Sequence, residues 1–313
     1  MARLKTESAK KSLLRRVRRQ RLKYIAILPS LITILNGVCG FAAIVFAGKG
    51  AKLGLGQFSY FAMSGYMILL AMIADMLDGR LARMHQSTSS FGGQLDSLCD
   101  IISFGVAPAF LMLKVLEYKL AGFAGPNPVT ETFLERFIWV VAAGYISCTA
   151  IRLARFNVEN EEDESAHMSF IGLPTPAAAG VIVSLIILHQ ETFPSLNVII
   201  YALPFLALGV AVLMVSRIRY PHIINQYLKG KKPFAYLIRV LLLLAFVIWN
   251  IQAALVLIFC GFAASSFVKW LYYKVIRNKH NLVSSAHSAL TRVDKGQIAD
   301  QGPTELAEVD DLA

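Results

Sequence analysis

Charge is scarce in this chain. Only 16% of its 313 residues are Asp, Glu, Lys or Arg, against roughly 25% in an ordinary soluble domain. Acids are scarcer than bases, 20 against 31, which leaves a formal net charge of +11. So little charge excludes a disordered polymer, and it argues against a conventional soluble enzyme. Cysteine is also rare. Cys39, Cys99, Cys148 and Cys260 all stand in apolar stretches, and no two form a CxxC pair. A disulfide framework and a cysteine zinc site are therefore not expected, and the four read as small apolar residues on packed helices. No internal repeat is present. The six histidines (His85, His167, His189, His222, His280, His287) are scattered, and none is assigned to a metal. What the chain has in quantity is apolar surface: 56% hydrophobic residues and a mean hydropathy of +0.56. Most of it is expected to lie in lipid.

A bilayer core about 30 Å thick takes about 20 apolar residues per helix. Eight stretches approach that length, near 25–47, 57–78, 95–117, 134–156, 174–190, 198–216, 235–250 and 252–273. The last two are separated by almost nothing and form a tight hairpin. Ten basic side chains precede the first stretch (Arg3, Lys5, Lys10, Lys11, Arg15, Arg16, Arg18, Arg19, Arg21, Lys23), against the single acid Glu7. The positive-inside rule places this end in the cytoplasm. Directly before a span, attraction to anionic lipid is a better reading of it than a nucleic-acid arm. With eight spans the other cytoplasmic segments should be basic as well. Arg80 and Arg83, then Arg217, Arg219, Lys229, Lys231 and Lys232, then Lys269, Lys274, Arg277 and Lys279 fit that alternation. Both termini are thus expected in the cytoplasm. The expected division is a basic segment 1–24, a core 25–220, a hairpin 221–279 and a disordered acidic tail 280–313.

The segment 75–100, DMLDGRLARMHQSTSSFGGQLDSLCD, is the most informative. Asp75 and Asp78 close the second span, and Asp96 and Asp100 open the third. An aspartate at midspan costs about 2.5–3.5 kcal/mol on insertion scales, and less near the interface. The spacings i, i+3 and i, i+4 put each pair on one helix face. Antiparallel neighbours could bring both faces together at the cytoplasmic boundary. Four carboxylates there would repel one another, and divalent cations would relieve them. Hard oxygen ligands point to magnesium or manganese rather than zinc. Gly79 allows close approach of backbone and ligand. Arg80 and Arg83 offer charge to phosphate, and Gly92 and Gly93 flank the start of the next helix. The bland alternative is an interfacial loop in which arginines pair with aspartates.

This segment matches the signature D-x-x-D-G-x-x-A-R-x8-G-x3-D-x3-D at Asp75, Asp78, Gly79, Ala82, Arg83, Gly92, Asp96 and Asp100. In this it resembles the CDP-alcohol phosphotransferases. Residues 28–41 (LPSLITILNGVCGF), RLARFN from Arg152 and FIGLPTPAAAG from Phe170 resemble the phosphatidylserine synthase branch. Many relatives carry Asn after the first-span proline, where this chain has Ser30. The resemblance implies an all-α integral membrane fold: a six-helix core plus, here, a C-terminal hairpin, about eight transmembrane helices in all. It also implies a homodimer in the cell membrane.

In the family, aspartates hold two divalent ions, Mg2+ or Mn2+, on the pyrophosphate of a CDP-linked lipid. Carried over, Asp75, Asp78 and Asp96 are metal ligands, and Asp100 is a ligand or the general base. Gly79, Arg83 and Gly92 cradle CDP. An alcohol attacks the lipid-bearing phosphorus and CMP leaves. The implied substrates are CDP-diacylglycerol and L-serine, with no nucleic acid partner. Arg152 and Arg155, followed by Asn157, end the fourth span and could bind the serine carboxylate. Equally, arginines at a helix end could satisfy its carbonyls. The acidic run Glu159–Glu164 reads as a solvated loop, and LPTP at 173–176 starts the fifth helix with Pro176 in its first turn. Glycerol phosphate, inositol phosphate or choline as acceptor remain open. A cation transporter would need acids deep in several spans, and a simple membrane anchor would leave the signature unexplained.

Overall fold

The computed structural model describes residues 30–51, 59–85, 90–121, 128–162, 169–216, 219–221, 249–265 and 267–268. Met1–Ser266 form one compact unit and Phe267–Ala313 a second. Every feature below belongs to the first. Its helices are α1 (Ser30–Gly48), α2 (Tyr60–His85), α3 (Ser90–Asp100), α4 (Ala107–Ala121), α5 (Pro128–Glu162), α6 (Thr175–Glu191), α7 (Asn197–Val215) and α8 (Ile251–Ser265). Two three-residue strands, β1 (Ser169–Ile171) and β2 (Arg219–Pro221), pair antiparallel with Phe170 opposite Tyr220. They tie the α5–α6 connection to the chain leaving α7.

Five helical stretches are long and apolar enough to cross a membrane: α1, most of α2, the continuous α3–α4 rod, α5 and α7; α6 and α8 are shorter apolar helices. The chain is a multi-pass, helical membrane protein. Its expected seventh span, 235–250, lies almost wholly outside the described residues, as do the basic segment 1–24 and the tail 280–313. Two boundaries differ from expectation. The third helix begins at Ser90, so Gly92 lies inside its first turn and not before it. The fourth runs to Glu162, so Glu159, Glu161 and Glu162 are helical and not loop. Hydropathy marks only the lipid-buried part of a helix, and intrahelical hydrogen bonding carries on into water.

The α3–α4 rod is the axis of the unit. Its apolar window is 67% buried within the protein, against 33–39% for the other four long helices. Helix α1 docks on it through small residues. A Cβ on Gly40 would stand 2.7 Å from the Ser103 Cα, and one on Gly37 would stand 3.0 Å from the Cys99 Sγ. With no lipid-versus-water drive between helices in a bilayer, such close backbone contact is the main source of packing attraction. Between α3 and α4, Ile101–Val106 form a π-helical segment in which the Ala107 N–H reaches back to the Ile102 carbonyl. The wider turn rotates α4 relative to α3. It lets the buried Tyr145 hydroxyl donate to the Phe104 carbonyl at 3.0 Å. It also lets the Ser103 hydroxyl donate to the Asn36 carbonyl at 2.9 Å. Such π segments are frequent at functional sites.

Gly172, at φ +82°, makes the turn into α6. A Cβ there would strike the Met214 carbonyl, while the Leu173 N–H bonds the Leu213 carbonyl at 3.1 Å. Helix α6 starts at Thr175 with proline in its first turn, as the LPTP reading expects. At its other end, Glu191 Oε2 accepts from the Tyr66 hydroxyl at 2.8 Å and from Gln252 Nε2 at 2.7 Å. That carboxylate joins α2, α6 and α8.

Candidate active site

Helix α2 delivers Asp75 and Asp78 from its later turns, and α3 delivers Asp96 and Asp100. Ligand oxygens of Asp75, Asp78 and Asp96 all lie within 4.8 Å of one another. Asp78 is buried, and Asp78 Oδ2 and Asp96 Oδ1 have no partner among the described residues. At about 5 Å and an effective dielectric of about 20, each pair of like charges costs about 3 kcal/mol. No described cation lies close enough to these three to form an ion pair. Converging carboxylates with solvent-shielded oxygens are a donor set for a hard divalent cation, and among the described residues the metal-type cluster at this place is made of carboxylates alone. The residues fit the group that the sequence implies.

Asp100 sits one turn beyond Asp96, buried against α1. It accepts a hydrogen bond from Asn36 Nδ2 at 3.0 Å. The Thr33 hydroxyl, one turn earlier on α1, hydrogen-bonds Asp78. Thus α1 contacts one carboxylate from each aspartate pair.

Arg152 is buried in the body of α5 and not at a helix end. Its Nη1 donates to the Thr175 hydroxyl at 3.1 Å. Its charge is felt by both Asp75 and Asp100. Its Nε is buried without a partner. Arg155 takes the ordinary structural part, donating from Nη1 to the carbonyl of Val215, the last residue of α7, at 3.1 Å. Asn157 pairs with Ser97, its Nδ2 2.9 Å from the hydroxyl, and so bridges α5 to the turn that carries Asp96. Gly79 is exposed, and a Cβ there would meet no protein atom within 4 Å. Protein packing therefore does not require glycine at 79, and the space beside its backbone is open. Gly92 lies half-buried in the first turn of α3. The Arg83 side chain lies outside the described residues.

The sequence that builds this site has known relatives. The sequence profile described as CDP-alcohol phosphatidyltransferase matches residues 26–216, a stretch that contains all the site residues named in this subsection. The chain belongs to that family. Among similar proteins of this family is a CDP-diacylglycerol–serine O-phosphatidyltransferase of Helicobacter pylori (strain ATCC 700392 / 26695). It is 33% identical over 258 residues, covering 81% of this chain and 96% of the relative. One of the same name from Methanocaldococcus jannaschii is 33% identical over 226 residues, 72% of this chain and 86% of its own length. Another from Bacillus subtilis is 31% identical over 196 residues, 62% of this chain and 90% of the relative.

Within the CDP-alcohol phosphatidyltransferase frame, sequence reasoning missed three residues. Thr33 and Asn36 escaped because they lie in a span valued for its apolar content. Their spacing, i and i+3, is the one that singled out Asp75 and Asp78, and two polar residues on one face of a lipid-buried helix are the available signal. Thr175 escaped because it begins a helix, where threonine is ordinary. Only the fold carries it to Arg152.

Proposed function

We propose that this chain transfers the phosphatidyl group of CDP-diacylglycerol to the hydroxyl of L-serine, releasing CMP and phosphatidylserine. The observation that carries this is the convergence of Asp75, Asp78 and Asp96, with Asp100 beside them, in a chain similar to three enzymes named for that reaction. The catalytic core is residues 25–220. Its working face is cytoplasmic, where CDP and serine are soluble, and both termini share that side of the cell membrane.

Asp75, Asp78 and Asp96 would hold two Mg2+ or Mn2+ ions, with Asp100 at the edge of the set, and ions held there would supply charge stabilisation to the pyrophosphate and to the transferring phosphoryl group. The protein's own groups do the rest. Asp100 takes the proton of the serine hydroxyl as its oxygen bonds to the lipid-bearing phosphorus, and the bond from that phosphorus to the CMP oxygen breaks. A carboxylate of ordinary basicity suffices, because the hydroxyl becomes acidic only as attack proceeds. Arg152, desolvated and with a free Nε, receives the serine carboxylate. A guanidinium does this with directed hydrogen bonds, and not as a point charge. Arg155 and Asn157 hold the elements around the acceptor in register. Gly79, Gly92 and Arg83 take the CDP moiety, with the open space at Gly79 admitting phosphate close to the backbone. The active protein is a homodimer.

The test is CMP release by purified protein in detergent with CDP-diacylglycerol and Mn2+, comparing L-serine with glycerol phosphate, inositol phosphate and choline. Serine-dependent release that Asp96→Asn and Asp100→Asn both abolish is the expected result. Release only with another alcohol would keep the reaction class and sink the serine assignment.

A further inference from the structure

Asn36 is the one polar side chain of α1 that is fully buried, with no measurable exposure. Its two amide groups have different fates. Nδ2 donates to Asp100 Oδ1 at 3.0 Å. Oδ1 is solvent-shielded and has no partner among the described residues. The opposite amide orientation would set a carbonyl against a carboxylate, so the electrostatics fix which end faces Asp100. The backbone holds the residue in place, because the Asn36 carbonyl accepts from Ser103, and Gly37 and Gly40 bring α1 against Cys99 of α3 and Ser103 of the π segment. A buried acceptor without a donor is unfavourable, and a bilayer offers it none. An asparagine is therefore a poor choice here unless a donor arrives with the substrate.

The neighbourhood indicates which donor. Asp100 interacts with two buried groups that each keep one polar atom without a partner among the described residues: Asn36, hydrogen-bonded to it and with Oδ1 left over, and Arg152, whose charge it senses and whose Nε is left over. One acceptor site and one donor site flanking a carboxylate are complementary to an amino acid bearing a hydroxyl. Its carboxylate goes to Arg152, its hydroxyl to Asp100, and its ammonium needs an oxygen.

We infer that Asn36 is the residue that selects an amino alcohol: its NH2 group fixes Asp100, and its carbonyl oxygen accepts a hydrogen bond from the substrate ammonium. This inference rests on the reading of Asp100 as base and serine as acceptor. Hydrogen-bonding sites of this kind discriminate strongly, because the analogue lacking the group leaves a buried atom unpaired.

The test compares L-serine with 3-hydroxypropionate, which keeps the hydroxyl and carboxylate and lacks the ammonium. Full-length wild type and Asn36→Leu are assayed for CMP release with CDP-diacylglycerol and Mn2+. CDP affinity is measured in parallel to report an intact nucleotide site. Asn36→Leu should bind CDP within about threefold of wild type, lose about 100-fold in kcat with either acceptor, and lose at least about tenfold of its preference for serine. A kcat loss with the serine preference intact would overturn the ammonium contact. Wild-type kcat would overturn both halves. Should Asn36→Leu fail to fold, the isosteric Asn36→Asp decides. It lacks the donor to Asp100 but keeps an oxygen for the ammonium, so kcat should fall while the serine KM does not rise. A raised serine KM at unchanged kcat in that variant would overturn the inference. Should wild type use only an alcohol without an amine, the serine reading and the ammonium contact both fall. The Asp100 contact would still be read from the kcat ratio with that alcohol.

Discussion

Asp75, Asp78 and Asp96 work against the stability of the protein that carries them. Each adds a negative charge within 4.8 Å of two others, and the repulsion is at its largest when no cation is bound. Removing one charge should therefore stabilise the metal-free protein while destroying its activity, the usual conflict at a functional site. In EDTA, Asp96→Asn is expected to melt about 2–4 °C above wild type, the shift that about 1 kcal/mol produces in a domain of this size. With Mn2+ the order should reverse, because wild type gains the binding energy of the ion and the variant gains less. Thermal unfolding in detergent with and without metal measures both. Arg152 invites a different test. If it receives the acceptor carboxylate, Arg152→Met should lower kcat/KM for serine by about 100-fold or more, as truncation of a buried charged partner does. The KM for CDP-diacylglycerol should barely move. Arg152→Lys should recover only part of the loss, since an ammonium lacks the planar fork.

At the scale of the element, the site depends on how closely α1 approaches the α3–α4 rod. Gly40 and Gly79 are both glycines near the aspartates, but the structure gives them opposite surroundings. A Cβ at 40 would collide with the Ser103 backbone, and one at 79 would meet nothing. Gly40→Ala is expected to cost about 1–3 kcal/mol through overpacking and to lower activity by displacing Asn36 from Asp100. Gly79→Ala should leave the melting temperature unchanged and weaken CDP binding. The comparison of melting temperature with CDP affinity in the two variants separates packing from ligand contact. The spacing of Asp75, Asp78, Asp96 and Asp100 made the two carboxylate faces legible from sequence, because helix periodicity is local. The π segment at Ile101–Val106 was not legible, since nothing in IISFGV distinguishes it from an ordinary apolar helix turn. Its hydrogen bonds run to Tyr145 and Asn36, partners distant in sequence.

The whole molecule is a multi-pass membrane protein whose four paired aspartates lie in the later turns of α2 and in α3. On the proposed orientation, tags at the N-terminus and at the C-terminus should both resist protease added outside intact cells and be cut once the cells are opened. An even number of crossings places both on one side, with the aspartates facing the same compartment. External cleavage of one tag would show an odd number of crossings. The full-length spans α1, α2, α3–α4, α5 and α7 were readable in the chain because a bilayer permits few alternatives to long apolar helices. The expected seventh stretch, 235–250, lies outside the described residues except for Trp249 and Asn250.

Composition and spacing by themselves determined that this chain is rich in membrane-length apolar stretches, that four of its aspartates come in two face-sharing pairs, and that such pairs have the donor chemistry of a hard divalent cation. Those are local properties: hydropathy, helical period and the chemistry of carboxylates. Only the tertiary structure decided that Arg152 lies buried within α5 while Arg155 serves the end of α7. It alone brought Thr33 and Asn36 of α1 to Asp78 and Asp100, across sequence separations that no period spans. The reason is physical. Which buried polar group meets which partner depends on how helices dock, and in a bilayer docking is set by close packing of small residues, whose pairings the one-dimensional pattern does not encode.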